Sequence, residues 1–208
     1  MKLTRFIVVS LILLAALGCY KRAMVPPLFD LESRQVLGIA RFDCNEEGKL
    51  DAYATQKFME AITRDQPVEI VEMPPVRDLL KEVGQKSLNP DALAAIADKY
   101  RIRTLITGEI EISDVRPKLT ITPGFSYVGI SADVEAALVA RLVGTDNGAT
   151  VWTGSARDER TVGYVSLGTG GHFMFDAHDP ESAYGGLVDA LVKNATRDFR
   201  HTWRFVKR

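Results

Sequence analysis

The chain has 208 residues, of which 46% are hydrophobic and 25% are charged, as in ordinary globular proteins. Its formal net charge of −1 and isoelectric point of about 6.3 exclude nucleic-acid binding through bulk positive charge. The length suffices for one domain that buries about 70% of its unfolded surface, and no internal repeat or low-complexity segment is visible.

Residues 1–19 have the pattern of an export signal. Lys2 and Arg5 form a basic start, and Phe6–Leu17 is an almost unbroken apolar run. About 12 residues at a rise of 1.5 Å span roughly 18 Å, which is too short for a hydrocarbon core of about 30 Å. The pattern therefore predicts a signal peptide over residues 1–18 and not a membrane span.

Cys19 directly follows the predicted cleavage site. The stretch Ala16-Leu17-Gly18-Cys19 resembles the lipobox of bacterial lipoproteins, in which the cysteine sulfur is acylated and the cysteine becomes the new N-terminus. The resemblance implies cleavage after Gly18, palmitate-type acylation of Cys19 and anchoring on the periplasmic side of the outer membrane. The usual lipobox has the large residue before the small one, however, and Ala16 and Gly18 also fit an ordinary signal-peptidase site. That alternative would give a soluble periplasmic or secreted protein.

Residues 19–35 are predicted to form a lipidated tether. Pro26-Pro27 stiffens this segment and disfavours a helix. The 16 residues after Cys19 reach at most about 55 Å when extended, so the domain is expected to stay near its membrane. If Cys19 is acylated, Cys44 has no partner in the chain, and we expect it to be a small buried hydrophobe.

The hydrophobic periodicity of the following residues predicts strands and helices in alternation. The first half holds a buried strand Val36–Phe42, a helix from Leu50 to Ile62 capped by Asn45, a strand Val68–Met73, and helices Val76–Val83 and Asn89–Tyr100. The second half holds strands Thr104–Ile112, Ser131–Val143 and Ala149–Val162, with a turn at Gly144–Gly148, and a last helix Pro180–Trp203.

The predicted order is therefore β-α-β-α-α-β-β-β-α. A parallel βαβ start followed by an antiparallel meander predicts an α/β (α+β) fold. Its mixed sheet would have about five strands, with the helices packed on it.

Four stretches resemble a known superfamily: VLGIARF, VEIVEMPPVRDLLKEVG, LNPDALAAIADKYRIRTLITGEIE and AALVARLVGTDNGATVWTGSA. The superfamily comprises the curli secretion protein CsgG, the lipoprotein activators of penicillin-binding proteins and the N-terminal domain of TolB. The stretches cover much of residues 36–156, and LITGEI and VGTDNGATVW are the most specific of them. The resemblance implies a CsgG/TolB-N-like α/β domain over residues 36–208.

Members of this superfamily are accessory or assembly proteins of the cell envelope that act by binding. The resemblance implies a non-enzymatic protein that binds a lipid bilayer through acylated Cys19. Its protein partners would be envelope proteins, or other copies of the same chain assembled into a ring. It implies no nucleic acid, no small-molecule substrate and no cofactor.

Two branches of the superfamily are alternatives to a periplasmic scaffold. A CsgG-like secretion pore would use the insertions Ser113–Gly129 and Thr161–His178, but both are too short for membrane strands of about 9–11 residues, and we expect surface loops. An activator of a peptidoglycan synthase would have to reach across the wall, which the short tether disfavours. A scaffold close to the outer membrane fits best.

One loop carries residue types that could bind a metal ion: His172, Asp176, His178 and Asp179. Neither histidine has the i, i+4 spacing of a helical site, so we expect solvated loop residues. Gly168–Gly171 lacks the Lys-Ser/Thr of a phosphate loop, and Gly154-Ser155 lacks a nucleophile-elbow pattern. The sequence therefore predicts no catalytic residue, no cofactor-binding residue and no metal ligand. The end of the chain, Trp203–Arg208, is expected to fray, and a tail that docks on the domain or on a neighbouring molecule is the alternative.

Overall fold

The structure is a computed structural model that describes residues 20–34, 36–121, 128–163, 165–167 and 173–207. Within these ranges the chain forms two compact units. The larger unit lies within residues 28–200, and the described residues of the smaller unit are 20–27 and 201–207.

The elements are numbered here in chain order. The strands are β1 (Tyr20–Val25), β2 (Val36–Ala40), β3 (Asp43–Cys44), β4 (Glu47–Gly48), β5 (Glu69–Met73), β6 (Thr104–Ile121), β7 (Val128–Gly144), β8 (Thr150–Gly163), β9 (Ser166–Leu167), β10 (Phe173–Phe175) and β11 (Thr202–Lys207). The helices are α1 (Leu50–Thr63), α2 (Val76–Glu82), α3 (Pro90–Tyr100) and α4 (Pro180–Ala195), and short 3₁₀ turns lie at Glu32–Arg34 and Arg197–Phe199.

The larger unit is built on a six-stranded mixed sheet with the order β5-β2-β6-β7-β8, in which β3 also pairs with β6. Strand β2 runs parallel to β5 and β6, and β6, β7 and β8 form an antiparallel meander. The predicted fold class is therefore confirmed. The prediction of about five strands missed the two-residue strand β3, because so short a segment leaves no periodic signal.

Helices pack on both sides of the sheet, because successive side chains of a strand point to opposite faces. Leu37 and Ile39 of β2 belong to a large core cluster that includes the apolar stripes of α1 and α4. Ala40 of β2 belongs to a second cluster that includes Leu79 of α2 and Leu93 of α3. Asn89 caps α3, because its side chain accepts a hydrogen bond from the Ala92 amide at 2.8 Å.

Two glycines of the superfamily-like stretches are required by core packing. A Cβ on Gly108, in LITGEI, would lie 2.5 Å from ring carbons of Phe42, which is fully buried. A Cβ on Gly154, in VWTGSA, would lie 2.3 Å from the Trp152 ring and 2.4 Å from the Ala195 carbonyl oxygen. All three distances are shorter than real Cβ contacts, so each glycine lets a large ring or a helix end lie directly on the sheet.

A single buried amide ties three separate segments together. The Gln66 Nε2 donates to the carbonyl oxygens of Phe29 at 2.8 Å and Phe199 at 3.0 Å, and its Oε1 accepts from the Leu31 amide at 3.0 Å. Gln66 is 4% exposed, so these bonds satisfy backbone groups that water does not reach.

Two predicted helix boundaries are wrong. Helix α4 ends at Ala195 and not at Trp203, and Phe199 turns back so that its ring lies 4.2 Å from that of Trp152. The i, i+4 pattern continues to Phe199 and therefore misled the prediction. Asn45 does not cap α1. Its side chain instead accepts from the Ile112 amide at 2.8 Å and donates to the Ile112 carbonyl at 3.0 Å.

The first insertion, Ser113–Gly129, is not the surface loop that we expected. Strand β6 continues through it to Ile121, and β7 begins at Val128, with a bulge between Ile112 and Asp114. Residues 122–127 lie outside the described ranges. In the second insertion, β8 runs to Gly163, and β10 pairs with β4 and β9.

The smaller unit contains a two-stranded antiparallel ribbon of β1 and β11, called the terminal ribbon below. Its register pairs Tyr20 with Lys207 and Val25 with Thr202. The C-terminal segment therefore does not fray as predicted, and the segment predicted as an extended tether contributes a strand. Neither strand shows a regular apolar-polar alternation, and their pairing joins residues more than 175 positions apart, which local patterns do not reveal.

Candidate functional site

The predicted lipidation site lies just before the described chain. Cys19 and the cleavage site after Gly18 are outside the described residues, and Tyr20 is the first residue of β1. Lipidation of Cys19 therefore stays a prediction. Within the described part of the chain, no helix is both long and apolar enough to cross a bilayer.

The acidic residues of the loop that we considered for metal binding have other partners. Asp176 forms an ion pair with Lys49 at 3.1 Å, and Asp179 caps α4 by accepting from the Ser182 amide at 3.2 Å. His178 is exposed, whereas His172 and Gly168–Gly171 lie outside the described ranges. Across the residues that the structure describes, no group of three or more His, Cys, Asp or Glu is placed to hold a metal ion.

Cys44 packs against the edge of the large core cluster and forms no disulfide. Burial raises the pKa of its thiol to about 11, while hydrogen bonds from the Glu46 and Asn45 backbone act in the opposite direction. A thiol with this pKa is protonated at neutral pH and is a poor nucleophile. Its position agrees with the predicted small hydrophobe.

One side of β6, β7 and β8 carries exposed or half-buried side chains, most of them polar, and we call it the open face. It lies opposite the side that packs on α1 and α4. Its members alternate with buried residues along each strand: Thr107, Glu109, Glu111, Asp114, Arg116, Lys118, Asp133, Glu135, Val139, Arg141, Ser155, Arg157 and Glu159. Glu109 and Glu111 are both exposed on this face.

Ion pairs across the strands order the distal part of the open face. Lys118 contacts Asp133 at 2.5 Å, and Thr161 donates to the same carboxylate at 2.6 Å, so that these hydrogen bonds lower the pKa of Asp133. Arg157 contacts Glu135 at 3.0 Å. Exposed pairs of this kind contribute little stability, but they fix the pattern of charge that a partner would meet.

A groove of about 200 Å³ lies at the other end of the open face, beside α2. Val76, Leu88 and Val139 supply apolar lining, and Asp43 and Glu109 supply two carboxylates. The two carboxylates belong to paired positions of β3 and β6. Burial is the main cause that raises the pKa of Asp43, and the neighbouring Glu109 carboxylate adds to it. The groove therefore combines apolar contact with negative charge, although Arg141 adds a positive charge at its rim.

A larger cleft of about 720 Å³ lies between the end of α3 and the Gly144–Gly148 turn. Its lining includes Asp98, Arg101, Arg103 and Asp146, so charges of both signs are present. The Thr104 hydroxyl on its wall is buried without a hydrogen-bond partner among the described residues. This mixed lining does not define one class of ligand.

Sequence reasoning missed the groove and the ion-pair pattern. The alternation of Asp114, Arg116 and Lys118, opposite Asp133 and Glu135, was the available signal for a longer charged hairpin. The groove left no such signal, because it joins residues from α2, β3, β6 and β7 that are distant in the sequence.

The comparisons with known proteins found similar solved structures. They include the PelC dodecamer from Paraburkholderia phytofirmans, with a TM-score of 0.47, 11% identity and coverage of 88% of this chain and 98% of that chain. The LpoB C-terminal domain from Salmonella enterica gives a TM-score of 0.39 and 14% identity over 65% of this chain and 86% of that one. The lipoprotein GNA1162 from Neisseria meningitidis gives 0.34 and 16% over 61% and 83%.

No protein-family model and no curated protein matches the sequence. All three similarities lie below a TM-score of 0.5 and below 25% identity, so the activities of those proteins are not transferred to this chain.

Proposed function

We propose that this chain is a non-enzymatic lipoprotein, anchored through Cys19 on the periplasmic side of the outer membrane. There it acts as an accessory, scaffold or assembly factor of a cell-envelope complex. The position of Cys19 carries the proposal, because it follows a basic start, a short apolar run and small residues. Each buried CH₂ group of an acyl chain contributes about 0.8 kcal/mol, so several chains would hold the protein on the bilayer permanently.

The distance from anchor to domain supports a role close to the membrane. Residues 20–27 alone separate Cys19 from the larger unit, and eight residues span at most about 28 Å when extended. This is shorter than the reach that the sequence alone allowed. It favours a partner close to the lipid over an enzyme on the far side of the wall.

The sheet supports binding in preference to pore formation. Ala132, Val134 and Val162, at the base of the two insertions, are buried in the core cluster of the larger unit. Insertion of these strands into lipid would remove these three side chains from the core of the larger unit. The open face can bind without such a change, and its groove fits a partner segment with an apolar side chain beside a basic one.

The anchoring is tested by the intact mass of the mature chain extracted in detergent. We expect a chain that begins at Cys19 and carries diacylglycerol and an amide-linked acyl group. After a high-salt wash the acylated chain should stay in the membrane fraction, whereas the Cys19→Ser variant should leave it. An unacylated mature chain, or a start at another residue, would contradict the proposal.

The binding face is tested by a photo-crosslinking side chain at Val139, in the groove, with the exposed position Gln56 on α1 as the matched control. We expect a discrete adduct in the membrane fraction from position 139 only, and we expect Glu109→Lys to reduce its yield. Equal adducts from both positions would argue against the groove.

A further inference from the structure

The terminal ribbon concentrates the exposed apolar surface of the protein. Six large apolar side chains are exposed among the described residues, and four of them, Met24, Trp203, Phe205 and Val206, belong to the ribbon. Trp203 is 55% exposed and Phe205 is 72% exposed. A two-stranded ribbon is marginally stable in water by itself, so this surface is suited to a partner.

Three of these side chains share one side of the ribbon. The register pairs Met24 with Trp203 and Arg22 with Phe205, and positions two apart on a strand point the same way. On this side the Arg22 guanidinium lies 4.9 Å from the centroid of the Trp203 ring. The side therefore presents aromatic rings next to a cation.

The charge of the ribbon segments differs from that of the rest of the chain. Residues 20–27 and 201–208 contain five Lys or Arg and no Asp or Glu. Residues 28–200 contain 19 Lys or Arg against 27 Asp or Glu, which gives a net charge of −8. A negatively charged surface would attract the ribbon segments and repel the larger unit.

We propose that the terminal ribbon lies along the surface of an anionic phospholipid bilayer. Trp203 and Phe205 enter the headgroup region, and Arg22 on the same side contacts lipid phosphates. Lys21 and Arg204 lie on the other side of the ribbon and add to its positive charge. Tryptophan and basic side chains are the residue types that anchor proteins at this interface. The inference rests on the proposed anchoring for the closeness of lipid, since Tyr20 of β1 is the residue after Cys19.

The geometry gives the proposal a measurable depth. Trp203 pairs with Met24, which is four residues beyond Tyr20, or about 13 Å along the strand. A ribbon that stands upright on the bilayer would hold Trp203 about that far from the lipid. A ribbon that lies along the surface places the Trp203 ring among the headgroups.

The first experiment measures vesicle binding of the unacylated chain that begins at residue 19 and carries Cys19→Ser. We expect binding to phosphatidylglycerol vesicles, a blue shift of the tryptophan emission, no binding to phosphatidylcholine vesicles, and weakening in high salt. The double variant Lys21→Glu/Arg22→Glu should bind at least about tenfold more weakly. The control Arg41→Glu/Lys86→Glu makes the same charge change on exposed residues of the larger unit and should stay within about twofold.

The second experiment uses the acylated chain in vesicles that carry a nitroxide on the lipid near the headgroup. We expect strong quenching that disappears in Trp203→Phe, because the remaining tryptophan, Trp152, is 7% exposed. Circular dichroism confirms that each variant is folded.

The outcomes separate the two proposals. An acylated chain whose Trp203 is not quenched would overturn the ribbon proposal and leave the anchoring intact. If the mature wild-type protein isolated from cells carries no acyl group but binds anionic vesicles through the ribbon, the ribbon proposal is supported and the anchoring proposal is overturned. A Trp203 emission that is already blue-shifted without vesicles, together with a dimer mass, would show that protein covers the ribbon and would overturn the proposal.

Discussion

The larger unit and the terminal ribbon differ in where their stability comes from. In the larger unit, helices cover both sides of the sheet, and buried hydrogen bonds join segments that are distant in the sequence. The ribbon has two strands and exposes most of its apolar side chains. A three-layer core therefore supplies its own stability, whereas a two-stranded ribbon has to obtain part of its stability from another surface.

The largest expected effect is in the core of the larger unit, at Trp152. This side chain packs on Phe199 with ring centroids 4.2 Å apart, and its Nε1 donates to Asp198 at 3.3 Å. Trp152→Ser should lower the free energy of unfolding by about 3–5 kcal/mol, because it leaves a large cavity beneath α4. Chemical denaturation followed by circular dichroism measures the change.

The matched control is Trp152→Phe, which keeps an aromatic ring in the same place. Its free energy of unfolding should fall by less than half as much as that of Trp152→Ser. If Trp152→Ser lowered the free energy of unfolding by less than about 1 kcal/mol, the core around Trp152 would not be close-packed as described.

A smaller effect is expected at Gly108, below the Phe42 ring. Gly108→Ala places a methyl group 2.5 Å from buried ring carbons and should destabilise the larger unit by about 1–3 kcal/mol. Gly186→Ala is the matched control, because its Cβ meets nothing within 4 Å and it lies on an exposed helical position of α4. There we expect a gain of about 0.5–1 kcal/mol, from lower chain entropy in the unfolded state. Equal changes at the two glycines would contradict the packing explanation.

The Gly108 case also shows how far sequence patterns reach in this protein. The regular stripes of α1 and α3 and the alternation of β7 predicted the layered sheet, because core burial imposes those periods. The stretches that resemble the superfamily contain Gly108 and Gly154, but the periodic patterns do not explain these glycines, since the rings that require them are those of Phe42 and Trp152. Packing supplied that reason.

Features that depend on distant residues were not predictable in this way. The ribbon joins Tyr20 to Lys207, and Gln66 joins Phe29 to Phe199, in each case through contacts that no local window contains. The groove of the open face is of the same kind. Local periodicity determines which elements form, and these long-range contacts determine which surfaces are left exposed.

The smallest expected effect is at the second tryptophan. Trp203→Ser removes a ring of similar size to that of Trp152, but Trp203 is 55% exposed and belongs to the ribbon. The free energy of unfolding of the larger unit should change by less than about 0.5 kcal/mol, because an exposed ring leaves no cavity. Hydrogen exchange should instead become faster at the amides of β1 and β11, since the ring side of the ribbon includes the contact between Arg22 and Trp203. A loss of stability as large as that of Trp152→Ser would mean that the ribbon is part of the folding core, and the distinction between the two regions would be wrong.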